Sequence, residues 1–283
     1  MPCSRSAAKS RHRPLSRISS GTILPDFAQK PPSFRFGKAT DSYLFRKIRL
    51  DHERTGHSVA KGPYSRRMIT FRLLGYPVRI EWFFWVLCLF LGMPFLQRQG
   101  PDGIGMFTIT TGVILGSILW HEIGHAWARK RFGAAYSEIT LHGMGGLCSG
   151  PGHFTRHESI FIAAAGPAAS LLLGGLTWLL TLTPGIADPW VKFFVGQMLW
   201  VNVGWALVNL LPILPLDGGH ILHGFLAGKR ANLVPKIGFV LAAIIAVLGL
   251  LSGNLWGAVL FGMLAHSNWR MMQQQGSAFR PRF

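Results

Sequence analysis

The stretch Leu119–Trp127 reads Leu-Trp-His-Glu-Ile-Gly-His-Ala-Trp and lies inside an apolar run. That run, Ile104–Ala128, is 25 residues long and carries Glu122 as its one formal charge. About 20 such residues cross a bilayer as a helix. A carboxylate and two imidazoles at that depth are costly unless they pair or bind metal. His121 and His125 are four apart, so a helix puts both rings on one face, one turn from each other, with Glu122 beside them. Both imidazoles can then reach one cation. Two nitrogen ligands and an adjacent carboxylate able to take a proton from water are what a zinc hydrolase requires.

Five further segments are read as apolar. Trp82–Leu96 is short, with tryptophans suited to an interface. Ser159–Thr183 contains Gly166-Pro167, a kink where small residues permit close packing, and Gly174-Gly175 fits the same role. Trp190–Leu211 follows, and then the shorter runs Gly238–Leu251 and Leu255–Ala265. Before the first segment, Phe71–Ile80 reads as an extended lead-in, because Pro77 disfavours helix at Tyr76. Tyr136–Ser149 reads as two short strands around a glycine turn, a hairpin whose edge can receive an unwound peptide. The expected fold is an all-α polytopic membrane protein with about six transmembrane helices and a small membrane-associated β-hairpin.

The formal net charge of +18 raises nucleic-acid binding, but its distribution argues otherwise. Residues 1–80 hold 17 Lys/Arg against 4 Asp/Glu, and the other 203 hold 12 against 7. The basicity belongs to a tail, 1–67, expected to be disordered or bound to anionic lipid. Its Arg/Ser-rich start resembles a transit peptide, and Met68 is an alternative start. No nucleic-acid module is recognisable, so no nucleic-acid partner is expected. Cys3, Cys88 and Cys148 form no C-x-x-C, which leaves out a thiolate zinc site.

Orientation follows from Lys/Arg counted loop by loop. The loop at 97–103 has Arg98 offset by Asp102, whereas Arg129, Lys130, Arg131 and Arg156 follow the second segment. No basic residue precedes Lys192 after the third, while Lys229, Arg230 and Lys236 follow the fourth. Residues 252–254 have none, and the C-terminal stretch has Arg270, Arg280 and Arg282. The alternation predicts six spans with both termini cytoplasmic, and it brings Asp217 to the same side as the histidines.

A third metal ligand is sought among Asp217, His142, His153, His157, His220, His223 and His266. Asp217 is preferred, because it sits in a helix-breaking turn: Asn-Leu-Leu-Pro-Ile-Leu-Pro-Leu-Asp-Gly-Gly-His, residues 209–220. His220 and His223 read as polar residues at a helix start.

Together, His-Glu-Ile-Gly-His in a span and Asn-Leu-Leu-Pro-Ile-Leu-Pro-Leu-Asp-Gly-Gly some 90 residues on resemble the site-2 protease family of intramembrane zinc metalloproteases. Gly-Met-Gly-Gly at 143–146 and the Gly166-Pro167 span are similar to family features. The resemblance implies a protease domain over 68–269, a short cytoplasmic tail at 270–283, and a compact form without a PDZ or CBS domain. It implies one Zn2+ per chain on His121, His125 and Asp217, with Glu122 as catalytic base. Asn209, with Gly145 and Gly146, would hold the substrate or the developing oxyanion. The implied substrate is a single-span membrane protein cut within its transmembrane segment, in regulated intramembrane proteolysis; oligomeric state is left open. Ser170 departs from the family, which often has Asn there. The alternatives are a non-proteolytic membrane metal-binding protein or transporter and a silent scaffold. A transporter spreads ionisable groups over several spans; here they cluster at one site.

Overall fold

In a computed structural model of the chain, the described residues are 68–278 apart from 99, 183–187, 227 and 229. The expectations for residues 1–67, and for the arginines at 280 and 282, lie outside them.

The expected lead-in is a β-hairpin. β1 (Met68–Leu73) pairs antiparallel with β2 (Tyr76–Glu81), Leu73 opposite Tyr76. Leu74 and Gly75 join them at φ 51° and 85°, the left-handed pair that a two-residue turn between twisted strands demands. Pro77 is tolerated in β2 because pairing with the next strand starts only at Val78, so no partner needs the missing N–H.

α1 (Trp82–Leu96) follows directly, then α2 (Pro101–Arg131), which contains the His-Glu-Ile-Gly-His motif and ends on Arg129, Lys130 and Arg131. Those three cations meet the negative end of the helix dipole. β3 (Glu138–His142) and β4 (Gly145–Ser149) form the second hairpin. This hairpin is not isolated, as sequence had suggested: β3 pairs parallel with β2, giving one sheet in the order β1-β2-β3-β4. β4 is left as an edge strand.

α3 (Arg156–Thr181) opens on a capping box, Thr155 with Glu158, and runs through Pro167. Asp188 caps α4 (Pro189–Asn209) by accepting from Trp190 and Val191 N–H. Pro212 and Pro215 then prevent helix until α5 (Asp217–Phe225). Asp217, expected in a turn, is thus the first residue of a short helix. α6 (Leu233–Leu251) and α7 (Leu255–Ala278) make a helical hairpin, and α7 continues well past Ala265.

Four described helices, α2, α3, α4 and α6, are long and apolar enough to cross a membrane. Their outer faces carry large exposed apolar side chains, such as Phe161, Leu172, Trp200 and Val247, as lipid-facing surfaces do. Two apolar clusters organise the interior. One joins the sheet (Val78, Ile80, Ile139, Leu141) to α1, α2 and Val201 of α4. The other packs Ile213 between α6 and α7, against Ala242, Phe261 and Leu264. The metal-motif turn of α2 lies beside the first cluster, and the segment before Asp217 belongs to the second.

Candidate metal centre

The close approach of α2 and α3 builds the site. At Gly124 a Cβ would stand 2.6 Å from the Ala165 carbonyl oxygen and 2.9 Å from the Ala169 methyl. At Gly166 a Cβ would run into both imidazoles, reaching 2.5 Å from His125 Cε1 and 2.7 Å from His121 Nε2. Glycine at these two positions lets the helices touch where the histidines sit. His121, Glu122 and His125 are all buried there.

Asp217 arrives from the other side. A Cβ at Gly219 would meet the Ile213 backbone at 2.6 Å, and one at Gly218 would overlap the Leu210 carbonyl. These glycines therefore let α5 begin tight against the preceding loop. Arg156 of α3 secures the far end of α5 by donating to the Gly224 carbonyl and, at 2.5 Å, to that of Phe225. Helix-end carbonyls lack partners within the helix, and a guanidinium satisfies two at once.

The result is a compact donor set. Asp217 Oδ2 lies 3.0 Å from His121 Nε2, and Oδ1 lies 3.3 Å from His125 Nε2. The two Nε2 atoms are 3.1 Å apart. Ligands at zinc distances of about 2.0–2.1 Å in a tetrahedron stand about 3.3 Å from each other, so this triangle fits one such ion within a few tenths of an ångström. The other ring nitrogens are engaged. His125 Nδ1–H donates to the Ile162 carbonyl at 2.7 Å, and His121 Nδ1 lies 3.1 Å from Ser170 Oγ, which is fully buried. Nδ1–H on both rings leaves both Nε2 lone pairs directed at the same point, an arrangement that a cation satisfies.

Glu122 sits beside this triangle. A possible ligand atom from each of His121, Glu122 and His125 lies within 4.8 Å of the others. The Glu122 carboxylate accepts the Cys148 backbone N–H from β4. The register explains why that amide is free. A two-residue turn closes on His142 and Gly145, so Gly146 and Cys148 turn their main-chain groups away from β3. A Cβ at Gly146 would strike the Glu122 carboxylate. Cys148 is no competing ligand, since burial pushes its thiol up to about 12 and keeps it protonated.

A cavity of about 630 Å³ opens onto the group, walled by α2, β4, α3, α4 and α5. Asn209, Gly146 and Asp217 all line it. Gly145 lies behind, its Cα against the Trp205 ring. Asn209 Nδ2 donates one hydrogen bond to the Trp205 carbonyl at 3.0 Å. Among the remaining histidines considered from sequence, His142, His220 and His223 border the cavity, whereas His153, His157 and His266 do not. Three contributors escaped the sequence reading in this role: Ser170, the Ile162 carbonyl and the Cys148 amide. Ser170 follows Gly166 by four residues, so helical spacing puts it on the face that meets the histidines; the other two are backbone groups and leave no trace in residue identity.

Comparison with known proteins agrees with this geometry. Residues 184–253 match Peptidase family M50, and residues 108–203 match Peptidase M50B-like. The chain is 31% identical over 209 residues to Rip3 of Mycobacterium tuberculosis, named as a zinc metalloprotease; the match covers 66% of this chain and 53% of that protein. It is 33% identical over 202 residues to sll0528 of Synechocystis, likewise named as a zinc metalloprotease, over 66% of this chain and 50% of the relative. The chain thus spans about half the length of these curated relatives. The solved site-2 protease from Methanocaldococcus jannaschii shares the fold, with a TM-score of 0.54 and 22% identity over 72% of this chain and 95% of that one. With its apolar helices it is an integral membrane protein, and it belongs to the site-2 protease family of zinc metalloproteases.

Proposed function

We propose that this chain is an intramembrane zinc metalloprotease that hydrolyses peptide bonds in the transmembrane segments of membrane proteins. The observation that carries the reading is the convergence of His121, His125 and Asp217 at 3.0–3.3 Å beside the buried Glu122. In this reading the first three hold one Zn2+ per chain, and Glu122 is the catalytic base. When bound, zinc polarises a carbonyl and acidifies water. Glu122 takes the proton from the attacking water and passes it to the leaving amine. The Cys148 N–H holds the carboxylate in place meanwhile.

The substrate is a single-span membrane protein whose helix has locally unwound, because helical backbone hides its carbonyls. The outward edge of β4 supports this: Gly146 turns its main-chain groups to the cavity side, next to Glu122. An extended peptide laid along that edge passes the base directly. Asn209, Gly145 and Gly146 hold the substrate or the developing oxyanion. Six spans with both termini in the cytoplasm would put this centre on the cytoplasmic side, with residues 68–269 forming the protease domain.

The test uses the full chain in detergent, with bound zinc measured and cleavage of a model single-span substrate followed. Wild type should carry one zinc and cleave; Glu122→Gln should keep the zinc and lose cleavage. Metal transport in vesicles without proteolysis would instead mark a transporter and end this reading.

A further inference from the structure

Two guanidinium groups line the cavity beside the metal centre, Arg129 of α2 and Arg156 of α3. The carboxylates that line it, Glu122 and Asp217, are both engaged at the metal centre. Among the described residues, neither arginine forms an ion pair. Arg129 also differs from its neighbours. Lys130 and Arg131 are exposed, where water serves them, whereas Arg129 is half-buried and faces the cavity. A charge withdrawn from water calls for a partner.

The Arg129 guanidinium is held in place. Its Nε–H donates to Ser137 Oγ at 3.2 Å, its Nη2 donates to the Gly150 carbonyl at 2.6 Å, and its Cζ lies 5.1 Å from the centre of the Phe154 ring. Those bonds use two of the five N–H donors of a guanidinium. Among the described residues, the others have no acceptor. Arg156 likewise donates to the Gly224 and Phe225 carbonyls and keeps donors in reserve. Fixed donors around an unbalanced charge suit a carboxylate, which accepts two N–H bonds from one guanidinium.

The position of Arg129 says where that carboxylate would lie. Gly150 directly follows β4, so the guanidinium stands at the end of the strand on which Gly146 faces Glu122. Glu122 and Arg129 are seven residues apart on α2, about 10 Å along the helix. Gly146 and Gly150 are four residues apart, about 13 Å of extended chain. Both lengths correspond to about three or four residues of a peptide extended along β4.

We propose that Arg129 is a specificity-determining residue: it takes the carboxylate of a substrate Asp or Glu about three or four residues from the scissile bond, with Arg156 adding positive charge to the same cavity. A carboxylate is costly in lipid, so the recognised residue lies near the end of the substrate's membrane segment. This rests on the protease reading above and names a selection rule that the metal-binding motifs do not contain.

The experiment uses the full chain in detergent and a single-span substrate series. Each position within about five residues of the cut carries Gln or Glu in turn. The ratio of kcat/KM for Glu over Gln is measured in wild type, Arg129→Gln and Lys130→Gln, and the same ratio for binding in the Glu122→Gln background. A ratio taken within one protein does not depend on how much of it is folded. Wild type should prefer Glu about ten-fold or more at three or four residues from the cut. Arg129→Gln should bring the ratio close to one, and Lys130→Gln should leave it unchanged. A wild-type ratio near one at every position would overturn the proposal, whether or not anionic lipid alters cleavage of the whole series. So would a preference that survives in Arg129→Gln, or one that Lys130→Gln removes as fully, as unspecific surface charge would give. Should Arg129→Gln fail to fold, Arg129→Lys decides, because it loses the two-pronged donor: a ratio reduced several-fold supports the contact and an unchanged one overturns it. If wild type binds the substrates without cutting any, the protease reading fails and the binding ratios still decide the role of Arg129. A wild type that neither binds nor cuts overturns both.

Discussion

The α2–α3–α5 region and the α6–α7 hairpin are held together by different kinds of contact. In the first, glycines face neighbours so closely that a methyl group has no room: Gly124 against Ala165, Gly166 against both histidines, Gly146 against Glu122, Gly219 against Ile213. Polar side chains there are pinned by named partners, and Arg156 clamps the end of α5. The hairpin is held chiefly by its own apolar faces; its helices also touch closely at Gly238 and Gly249, whereas Gly262 on α7 looks onto open space. It meets the rest of the chain at a few points: Asn268 donating to the Leu214 carbonyl at 2.6 Å, Ile213 between its helices, and the Phe90–Trp256 ring stack at 4.4 Å. A site that brings three polar side chains within 3.3 Å of one another needs every approach specified; an apolar hairpin needs less.

Substitutions should expose this difference, and the largest effect is expected at Glu122, the proposed base. Glu122→Gln should reduce cleavage by about 10³-fold or more with zinc retained, read by turnover and metal analysis. Gly166→Ala forces a methyl group into the two imidazoles, so bound zinc should fall well below one per chain when titrated against a chelator. Ser170→Ala removes the hydroxyl at His121 Nδ1 and should weaken zinc affinity about 10–100-fold in the same titration, with Ser170→Asn recovering part of it. In the hairpin, Asn268→Ala should lower stability by about 1–3 kcal/mol in denaturant titration, because it removes the buried amide that holds the Leu214 carbonyl three residues before Asp217. Gly262→Ala should be neutral within about 0.5 kcal/mol, or slightly stabilising, as expected for an unobstructed helical glycine. If Gly262→Ala proved as damaging as Gly166→Ala, the contrast between the regions would be void.

The helices were readable because their signals are local. Trp82–Leu96 matches α1 residue for residue, and the ends of most other runs shift by a few positions where caps such as Thr155 and Asp188 decide them, although the last helix runs on from Ala265 to Ala278. The β1–β2 hairpin was missed because its turn is Leu74-Gly75, with a leucine at φ 51° where Asn or Asp is usual. The parallel pairing of β2 with β3 joins segments separated by all of α1 and α2, and no local period reports such a partner. Gly174 packs against Val203 as expected of a small residue, while Gly175 meets nothing within 4 Å.

Residue identity and spacing alone placed His121, Glu122 and His125 on one helical face, interrupted the chain at Pro212 and Pro215, and singled out Asp217 as the partner of the histidines. Those outcomes need only helical periodicity and backbone sterics. Tertiary structure decided the rest: that the Nε2 atoms and not Nδ1 converge, that the Cys148 amide holds Glu122, and that the Gly150 carbonyl holds Arg129 at the cavity. Each of these depends on which backbone group from a distant element arrives within hydrogen-bond distance, and every residue carries the same backbone groups.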